Sequence, residues 1–520
     1  MKRHLWENHS AANGLPANSK RKTMLRILGT SKRLCDGIRR RDFLRVGGLG
    51  LAGLGLPAPL RADAQPAGFG RAKSCILLYL YGSPSQLETF DVKPAAPVEV
   101  RGELGFINTV IPGYQIGELL PEIAKIVDRT TVIRSMSHPY PVHGIAYATT
   151  GLPDPKGQLE VSPRDPEHWP FIGSVVDYLA EQARTAAAPA LPANLALPFP
   201  LSTRRANQPY RAGPYGGFLG PGYDPVWTDF QGEGTKPFVQ KNRGVVREFR
   251  DPYAGIKPDG SFQLAAATLA DELTLDRLDR RRSLLTQLDD ARRNLDAADR
   301  GQAADRYRAV DRYRAMAFSL LGSRGLRDAL DVQAEPMDLR ESYGMTLYGQ
   351  GALVARRLVE AGSRFVSLFW DEYGLADSAW DTHYEHFRRM KDELCPTFDR
   401  AYSGLLLDLE RRGLLDETLV VTISEHGRTP RLSNVAGGGR DHWSNAYSAI
   451  VAGGGFARGK VIGKTDRVAG EVASKAVSPK DILATIYHLL GIDPHTQIHD
   501  RMNRPFPIAG SGVVRHELLA

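Results

Sequence analysis

Three pairs of an acidic residue and a histidine lie in the C-terminal part of the sequence. They are Asp381 with His383, Glu425 with His426, and Asp441 with His442. The second pair directly follows an apolar, β-branched run at 419–423, which is typical of a strand buried on both faces of a sheet. Ligands of open α/β sheets bind where such strands end. Carboxylate and imidazole groups together suit Zn or Mn, or Ca if the histidines do not bind it. We therefore predict a metal or anion site in which these six side chains are the candidate ligands.

Two arginines flank the same stretch and have two interpretations. Arg428 and Arg440 can each bind a phosphate, sulfate or carboxylate group through two parallel hydrogen bonds. Each can equally pair with Glu425 or Asp441 and only stabilise the loop. The sequence leaves both interpretations open.

The first half of the chain contributes a turn with two serines. Ser83 and Ser85 follow an apolar run at 74–81, where a nucleophile or an oxyanion donor would lie. Serines that only stabilise a turn are an equal alternative. His143 precedes a predicted helix, and we expect it to point into the same cleft because the ends of parallel strands converge there.

The apolar runs and helical periodicities alternate along the chain. Strands are predicted at 74–81, 130–134, 364–369, 419–423 and 448–452, and helices at 117–128, 171–188, 351–361, 396–412 and 479–490. Ser478 is predicted to be the N-cap of the last helix. Alternation of this kind is typical of an α/β fold with a mainly parallel sheet covered by helices on both faces.

Two segments interrupt this pattern and divide the chain. Residues 65–188 and 333–520 are predicted to form the two halves of the α/β core. Residues 189–262 are dense in Pro, Gly and aromatics, which predicts a loop region over the cleft with few long elements. Residues 263–332 combine Leu at helical spacing with dense mixed charge, which predicts a helical insertion. Its charged face, within 263–331, is a candidate surface for a partner or for self-association.

The charge distribution bears on the location of the protein. Residues 1–64 contain 13 Lys or Arg and 4 Asp or Glu, so they account for the whole formal excess of +8. The rest of the chain therefore offers no argument for binding nucleic acid. Arg40 and Arg41 precede a Gly-rich apolar segment too short to span a membrane, and a small-residue cleavage pattern ends at 64. This order is typical of a twin-arginine signal, so we expect export to the periplasm or beyond, with no membrane span after processing.

The chain resembles the exported bacterial proteins grouped as domain of unknown function 1501, placed near sulfatases in the alkaline phosphatase superfamily. The resemblance rests on the motifs GSPSQLETFD at 82–91, WDTH at 380–383, SEHGRTP at 424–430 and GRDHW at 439–443. It implies an alkaline-phosphatase-like fold with two metal positions. Superfamily members typically carry an Asp and His pair, then an adjacent Asp-His pair after a strand, and then a His nearer the C-terminus. Asp381 and His383 resemble the first pair, Glu425 and His426 the second with Glu in place of Asp, and His442 the last histidine.

The resemblance is incomplete at the nucleophile. Superfamily enzymes place an Asp directly after the first strand, where this chain has Gly82 and Ser83, and a sulfatase-type Cys or Ser is missing near Pro141. We expect a metal-dependent hydrolase of sulfate or phosphate esters, and a carbohydrate sulfate is one candidate substrate. The alternative is a catalytically inactive binding or assembly protein on the same fold. Aromatic residues between Tyr210 and Trp227 leave a carbohydrate-binding role open as well.

Overall fold

The computed structural model describes residues 66–520 except 142, 144, 152–161, 163–164, 166, 184–190, 206–210, 243–244, 265–322 and 375–377. The predicted signal segment, most of the predicted helical insertion and Tyr210 therefore lie outside the described residues. Contacts divide the chain into two units at residue 65, and residues 66–520 form the second unit.

The described residues form short strands and helices throughout. The strands are β1 Ser74–Leu80, β2 Phe106–Asn108, β3 Gln115–Gly117, β4 Thr130–Met136, β5 Asn194–Leu197, β6 Val226–Gln231, β7 Pro237–Asn242, β8 Val245–Arg250, β9 Ser261–Leu264, β10 Phe365–Trp370, β11 Thr418–Ile423, β12 Gly427–Arg428, β13 His442–Trp443, β14 Tyr447–Ala452, β15 Lys460–Ile462, β16 Lys464–Thr465, β17 Val472–Ser474, β18 Gln497–His499 and β19 Pro505–Pro507. The α-helices are α1 Val98–Arg101, α2 Pro121–Ile126, α3 Ile145–Thr150, α4 Ile172–Gln182, α5 Arg324–Leu330, α6 Met337–Ser342, α7 Leu347–Glu360, α8 His386–Arg389, α9 Cys395–Arg411 and α10 Pro479–Leu489.

A nine-stranded sheet forms the centre of the fold, in the order β15-β4-β14-β11-β1-β10-β5-β6-β9. Neighbouring strands are parallel except at β11–β14, β14–β4 and β6–β9, which are antiparallel. Every residue of β1, β10 and β11 is buried, as continuous apolar runs in a covered sheet require. The predicted mainly parallel sheet is thus confirmed.

Helices cover both faces of this sheet. Gly173 of α4 packs against Phe365, whereas Gly351 of α7 packs against Leu368. Phe365 and Leu368 lie three positions apart on β10, and alternate residues of a strand point to opposite faces. The two helices therefore lie on opposite sides of the sheet. α10 begins with the predicted Ser478 cap, which forms a reciprocal capping box with Asp481.

Residues 189–262, expected to be a loop region with few long elements, also contain short strands. They contribute three short strands, β5, β6 and β9, that extend the central sheet beyond β10. We did not predict these strands because each has only four to six residues between Pro and Gly positions. Trp227 of β6 packs against Phe369 of β10. In the part of the chain that the structure describes, no helix combines the length and apolarity needed to cross a bilayer.

Candidate metal centre

The candidate site lies at one edge of the sheet, where three parallel strands end level with one another. Leu80 of β1 pairs with Trp370 of β10, and Tyr79 of β1 pairs with Ile423 of β11. The antiparallel strand β14 begins at this same edge, since Tyr447 pairs with Met136 near the end of β4. Loops that follow β1, β4, β10 and β11, and the loop that precedes β14, therefore converge.

Local pairings then bring the predicted motifs together. The backbone N–H of Trp380 donates to the carbonyl of Tyr81 at 2.9 Å, which places Asp381 beside the turn after β1. Gly82 in that turn has a φ of +91°, and a Cβ at this position would overlap the backbone of Asp381. The β12–β13 hairpin pairs Arg428 with His442 and so places His442 next to the 424–428 segment.

One group of nitrogen and oxygen atoms surrounds Asp381. His383 Nε2 lies 3.1 Å from Asp381 Oδ1 and 3.1 Å from His442 Nε2, and His442 Nε2 lies 3.5 Å from the same carboxylate oxygen. His143 Nε2 lies 3.0 Å from Asp381 Oδ2. One ligand atom from each of the four residues falls within 4.8 Å of the others, which is compact enough to hold a metal ion.

A second group shares His143 with the first. His143 Nδ1 lies 3.0 Å from Glu425 Oε1, and His143, Glu425 and His426 also place ligand atoms within 4.8 Å of one another. Sequence reasoning placed His143 near the cleft but did not identify it as the residue joining both groups. Its signal in the sequence is weak, because no acidic partner lies beside it along the chain.

The donor atoms of the second group fit a cation. His426 Nδ1–H donates to the Gly427 carbonyl at 2.8 Å, which leaves the lone pair on Nε2. Neither Nε2 nor Glu425 Oε2 makes a hydrogen bond of ordinary length and angle with any residue that the structure describes, and both atoms are buried. Buried polar atoms are rarely left without partners. An imidazole lone pair beside a carboxylate oxygen is a donor set that divalent first-row metals accept.

The protonation states follow from burial and charge. Burial by itself would raise the pKa of Asp381, but the charges of His143 and Arg428 hold it well below its usual value. Burial lowers the pKa of His426 well below that of free histidine, and the charges of His143 and Arg428 act in the same direction. Burial alone would disfavour the His143 cation, but Asp381 and Glu425 outweigh it and raise the pKa of His143 to about 9. The pKa of Glu425 is also lowered, so Asp381 and Glu425 are ionised, His143 is protonated and His426 is neutral at neutral pH.

Asp441 occupies a different position from the other predicted ligands. Its side chain is 63% exposed, and Oδ1 accepts a hydrogen bond from His383 Nδ1 at 2.8 Å. It is not part of either compact group among the described residues. Histidine ligands commonly donate their second ring N–H to a carboxylate, which sets the tautomer and the ring orientation. The geometry favours this orienting role over a ligand role.

Arg428 and Arg440 are fully buried and already bonded. Arg428 donates to Asp381 Oδ1 at 2.5 Å and also bonds the carbonyls of Gly82 and Ser83. Arg440 bonds Glu88, together with the carbonyls of Val100, Thr429 and Pro430. The acidic partners are thus Asp381 and Glu88, not Glu425 or Asp441 as the second interpretation proposed, although these contacts also connect the loops around the site.

The two serines differ in their surroundings. Ser83, with a φ of +70°, is buried, and its hydroxyl accepts a hydrogen bond from the His426 N–H at 3.1 Å. Ser85 is buried beside Glu88 and contributes to that carboxylate's low pKa. Ser83 therefore borders the candidate centre and supports His426, whereas the Ser85 hydroxyl makes no hydrogen bond of ordinary length and angle with the described residues.

Comparison with family models agrees with the motif resemblance to the DUF1501 proteins. The family described as "Protein of unknown function (DUF1501)" matches residues 72–519. No curated protein is significantly similar to the sequence. Similar solved structures include the PsFucS1 sulfatase from Pseudoalteromonas sp., at 13% identity over 89% of this chain and 73% of that one, with a TM-score of 0.35. A phosphonate monoester hydrolase from Silicibacter pomeroyi is 11% identical over 86% and 76% of the two chains, also with a TM-score of 0.35. A protein in complex with its substrate D-glucosamine-2-N,6-O-disulfate is 12% identical over 86% and 82%, with a TM-score of 0.32.

Proposed function

We propose that this chain, which belongs to the DUF1501 family of proteins of unknown function, is an exported, metal-dependent hydrolase of phosphate or sulfate esters. The observation that carries the proposal is the convergence of Asp381, His383, His442, Glu425 and His426 around His143. Five of the six ligands predicted from sequence spacing lie in these two groups, although they are separated along the chain.

The proposed division of labour follows from the contacts. Asp381, His383 and His442 would hold one cation, and Glu425 and His426 a second, with His143 between them. A divalent cation bound there supplies a Lewis acid beside the ester. Arg428 keeps Asp381 ionised, and the Gly82 N–H, at 2.8 Å from Glu425 Oε1, holds that carboxylate in place. We assign the attack on the ester to water, and a positioning role to Ser83, whose hydroxyl accepts a hydrogen bond from the His426 N–H.

Elemental analysis and ester turnover test this proposal together. We expect the purified mature protein to contain at least one equivalent of Zn, Mn or Ca and to hydrolyse at least one of a panel of aryl phosphates, aryl sulfates and carbohydrate sulfates. A chelator should remove both the metal and the turnover, and the metal should restore them. Less than one equivalent of metal, together with no turnover across the panel, would contradict the proposal.

One observation favours the alternative of an inactive binding or assembly protein. No acidic residue stands in the turn after β1, where superfamily enzymes place an Asp and this chain has Gly82 and Ser83. The two functions differ in which part of the chain they need. If replacing Glu425 and His426 with alanine left cellular function intact while deletion of residues 263–331 abolished it, the assembly function would be preferred.

Export is a separate part of the proposal and has its own test. The Arg40-Arg41 pair, followed by an apolar segment, motivates it. We expect replacement of both arginines by lysine to retain the precursor in the cytoplasmic fraction, because twin-arginine signals are read by a receptor that requires the pair. Arg45→Lys serves as the control and should be exported normally. Unchanged periplasmic yield of the double variant would contradict this route.

A further inference from the structure

Gln86 lies in the 82–91 motif, and its side chain is completely buried. Its Oε1 accepts a hydrogen bond from the backbone N–H of Arg428 at 3.0 Å, and its Nε2 donates to the carbonyl of the same residue at 2.8 Å. Neighbouring antiparallel strands exchange such a pair of bonds between two residues. The contact is close, because a Cβ on Gly427 would lie 2.7 Å from Gln86 Oε1. The amide of Gln86 therefore bonds β12 as a neighbouring strand would.

The same amide is linked to β13, the other strand of the hairpin, through a loop. Its Nε2 also donates to the carbonyl of Ala469 at 3.1 Å. The next carbonyl along the chain, that of Gly470, accepts a hydrogen bond from Trp443 Nε1 in β13 at 2.7 Å. Gln86 thus holds β12 directly and contacts β13 through residues 469–470.

The β12–β13 hairpin determines where three of the candidate ligands lie. His426 directly precedes β12, and His442 is the first residue of β13, where it pairs with Arg428. The Arg428 guanidinium bonds Asp381 Oδ1 at 2.5 Å. A displacement of the Arg428 backbone would therefore move His426, His442 and the guanidinium beside Asp381 together.

We propose that Gln86 is a positioning residue of the metal centre, which holds ligands of both groups at binding distance by fixing the backbone of Arg428. The inference rests on the proposed function, because it concerns the affinity of that centre for its cation. Replacing a residue that supports metal ligands without touching the metal typically costs about 10- to 100-fold in metal affinity. The 82–91 motif then takes part in cation binding without supplying a nucleophile.

The alternative is an amide that only satisfies buried backbone groups, and Gln350 in α7 is the matched control for it. Gln350 is also completely buried, and its Nε2 donates to the carbonyls of Arg340 and Gly344 at 2.8 and 3.0 Å. Its Oε1 accepts a hydrogen bond from Arg340 Nε at 3.0 Å. Each glutamine thus makes three hydrogen bonds of similar length, but the Gln350 partners lie outside both metal groups. Loss of either amide should therefore lower the free energy of unfolding by a similar amount.

Binding of Zn²⁺, Mn²⁺ and Ca²⁺ to the metal-depleted mature protein tests the inference without requiring turnover. The variants are Gln86→Met and Gln350→Met, which keep the length of the side chain but remove its amide. Gln86→Asn is a milder third variant that keeps an amide one methylene shorter. Competition with a chromophoric chelator gives the metal affinity, and urea unfolding of the metal-depleted proteins gives the stability.

We expect Gln86→Met to lower the affinity for the ion that the parent protein binds most tightly about 10- to 100-fold. Gln86→Asn should lose less, because its amide still lies near the same backbone groups. Gln350→Met should bind that ion as the parent does, although it loses about as much stability as Gln86→Met. A loss of affinity at one glutamine and not at the other, at similar stability, is the signature of a positioning residue.

Two results would overturn this inference alone. One is a parent-like metal affinity in folded Gln86→Met and Gln86→Asn proteins. The other is an equal loss of affinity in Gln350→Met, which would show that metal binding only follows the stability of the whole fold. A parent protein that binds none of the three ions would overturn the proposed function and this inference together. Metal binding that depends on Gln86 in a protein without ester turnover would support the inference while contradicting the proposed hydrolase.

Discussion

Replacing His426 with asparagine is expected to abolish metal binding at the group of His143, Glu425 and His426 and to lower ester turnover by about 100-fold or more. Mutation of a residue that only supports a metal ligand already lowers activity by up to about 100-fold, so loss of a ligand should cost at least as much. The asparagine amide can take over the Nδ1–H donation to the Gly427 carbonyl, but it removes Nε2. The variant therefore tests the one imidazole nitrogen at this position that has no ordinary hydrogen bond within the described residues. Metal content by elemental analysis and turnover by steady-state kinetics are the measurements.

Two further variants separate a ligand effect from a folding effect. His426→Gln places its amide nearer the Nε2 position and should retain more metal than His426→Asn. His488→Asn changes another buried histidine, one that bonds the Ala67 carbonyl, and should keep normal metal content. Normal metal content and turnover in a folded His426→Asn protein would remove His426 from the centre.

The second large effect is expected on stability, at the buried pair of Glu88 and Arg440. Both side chains are buried, and Arg440 Nε lies 3.1 Å from Glu88 Oε1. Glu88→Gln leaves the guanidinium charge uncompensated, so we expect the free energy of unfolding to fall by about 3–5 kcal/mol. The free energy of unfolding of the Arg440→Met protein should fall by a similar amount, because the substitution removes the guanidinium that pairs with the Glu88 carboxylate. The Glu88→Gln/Arg440→Met protein should lose clearly less than the sum of the two single losses.

Urea unfolding measures these changes, provided that the m value is the same in the variants and the parent protein. The control is Lys73→Ala, which breaks the pair between Lys73 and Glu417, whose side chains are 73% and 47% exposed. Exposed pairs contribute little to stability, so this variant should unfold at the parent midpoint. Strictly additive losses at Glu88 and Arg440 would show that the two side chains do not act as a pair.

The same pair predicts the response of stability to acid. Burial alone would raise the pKa of Glu88, but Arg440 and His386 outweigh it and lower the pKa from 4.5 to about 2. A carboxylate whose pKa is lower in the folded state stabilises the protein above its unfolded pKa. This contribution, about 3 kcal/mol, is lost as the pH falls from 4.5 to 2. Glu88→Gln should lack this part of the acid dependence, as unfolding measured between pH 2 and 6 will reveal.

Local sequence was sufficient to predict the core of the fold. The continuous apolar runs that became β1, β10 and β11 read as buried strands because every side chain of a covered parallel strand is apolar. The cap at Ser478 was predicted for a similar reason, since capping depends on residues within one helical turn. The short strands β5, β6 and β9 were not predicted, because each has only four to six residues in or beside a segment dense in Pro and Gly.

The candidate site divides in the same way. Spacing along the chain identified Asp381, His383, Glu425, His426 and His442, because ligands that follow strands of one sheet converge at its edge. The orientation of Asp441 towards the outer nitrogen of His383 required the β12–β13 hairpin to be known.

Sequence alone therefore determined which residue types are available at the edge of the sheet and which strands deliver them. Tertiary structure decided which side chains face one another: His143 between two carboxylates, Arg440 against Glu88, and Arg211 above Tyr81. The physical reason is that residue type and backbone pattern are local, whereas a side chain's burial, partners and charge state depend on residues brought to it by packing from other parts of the chain.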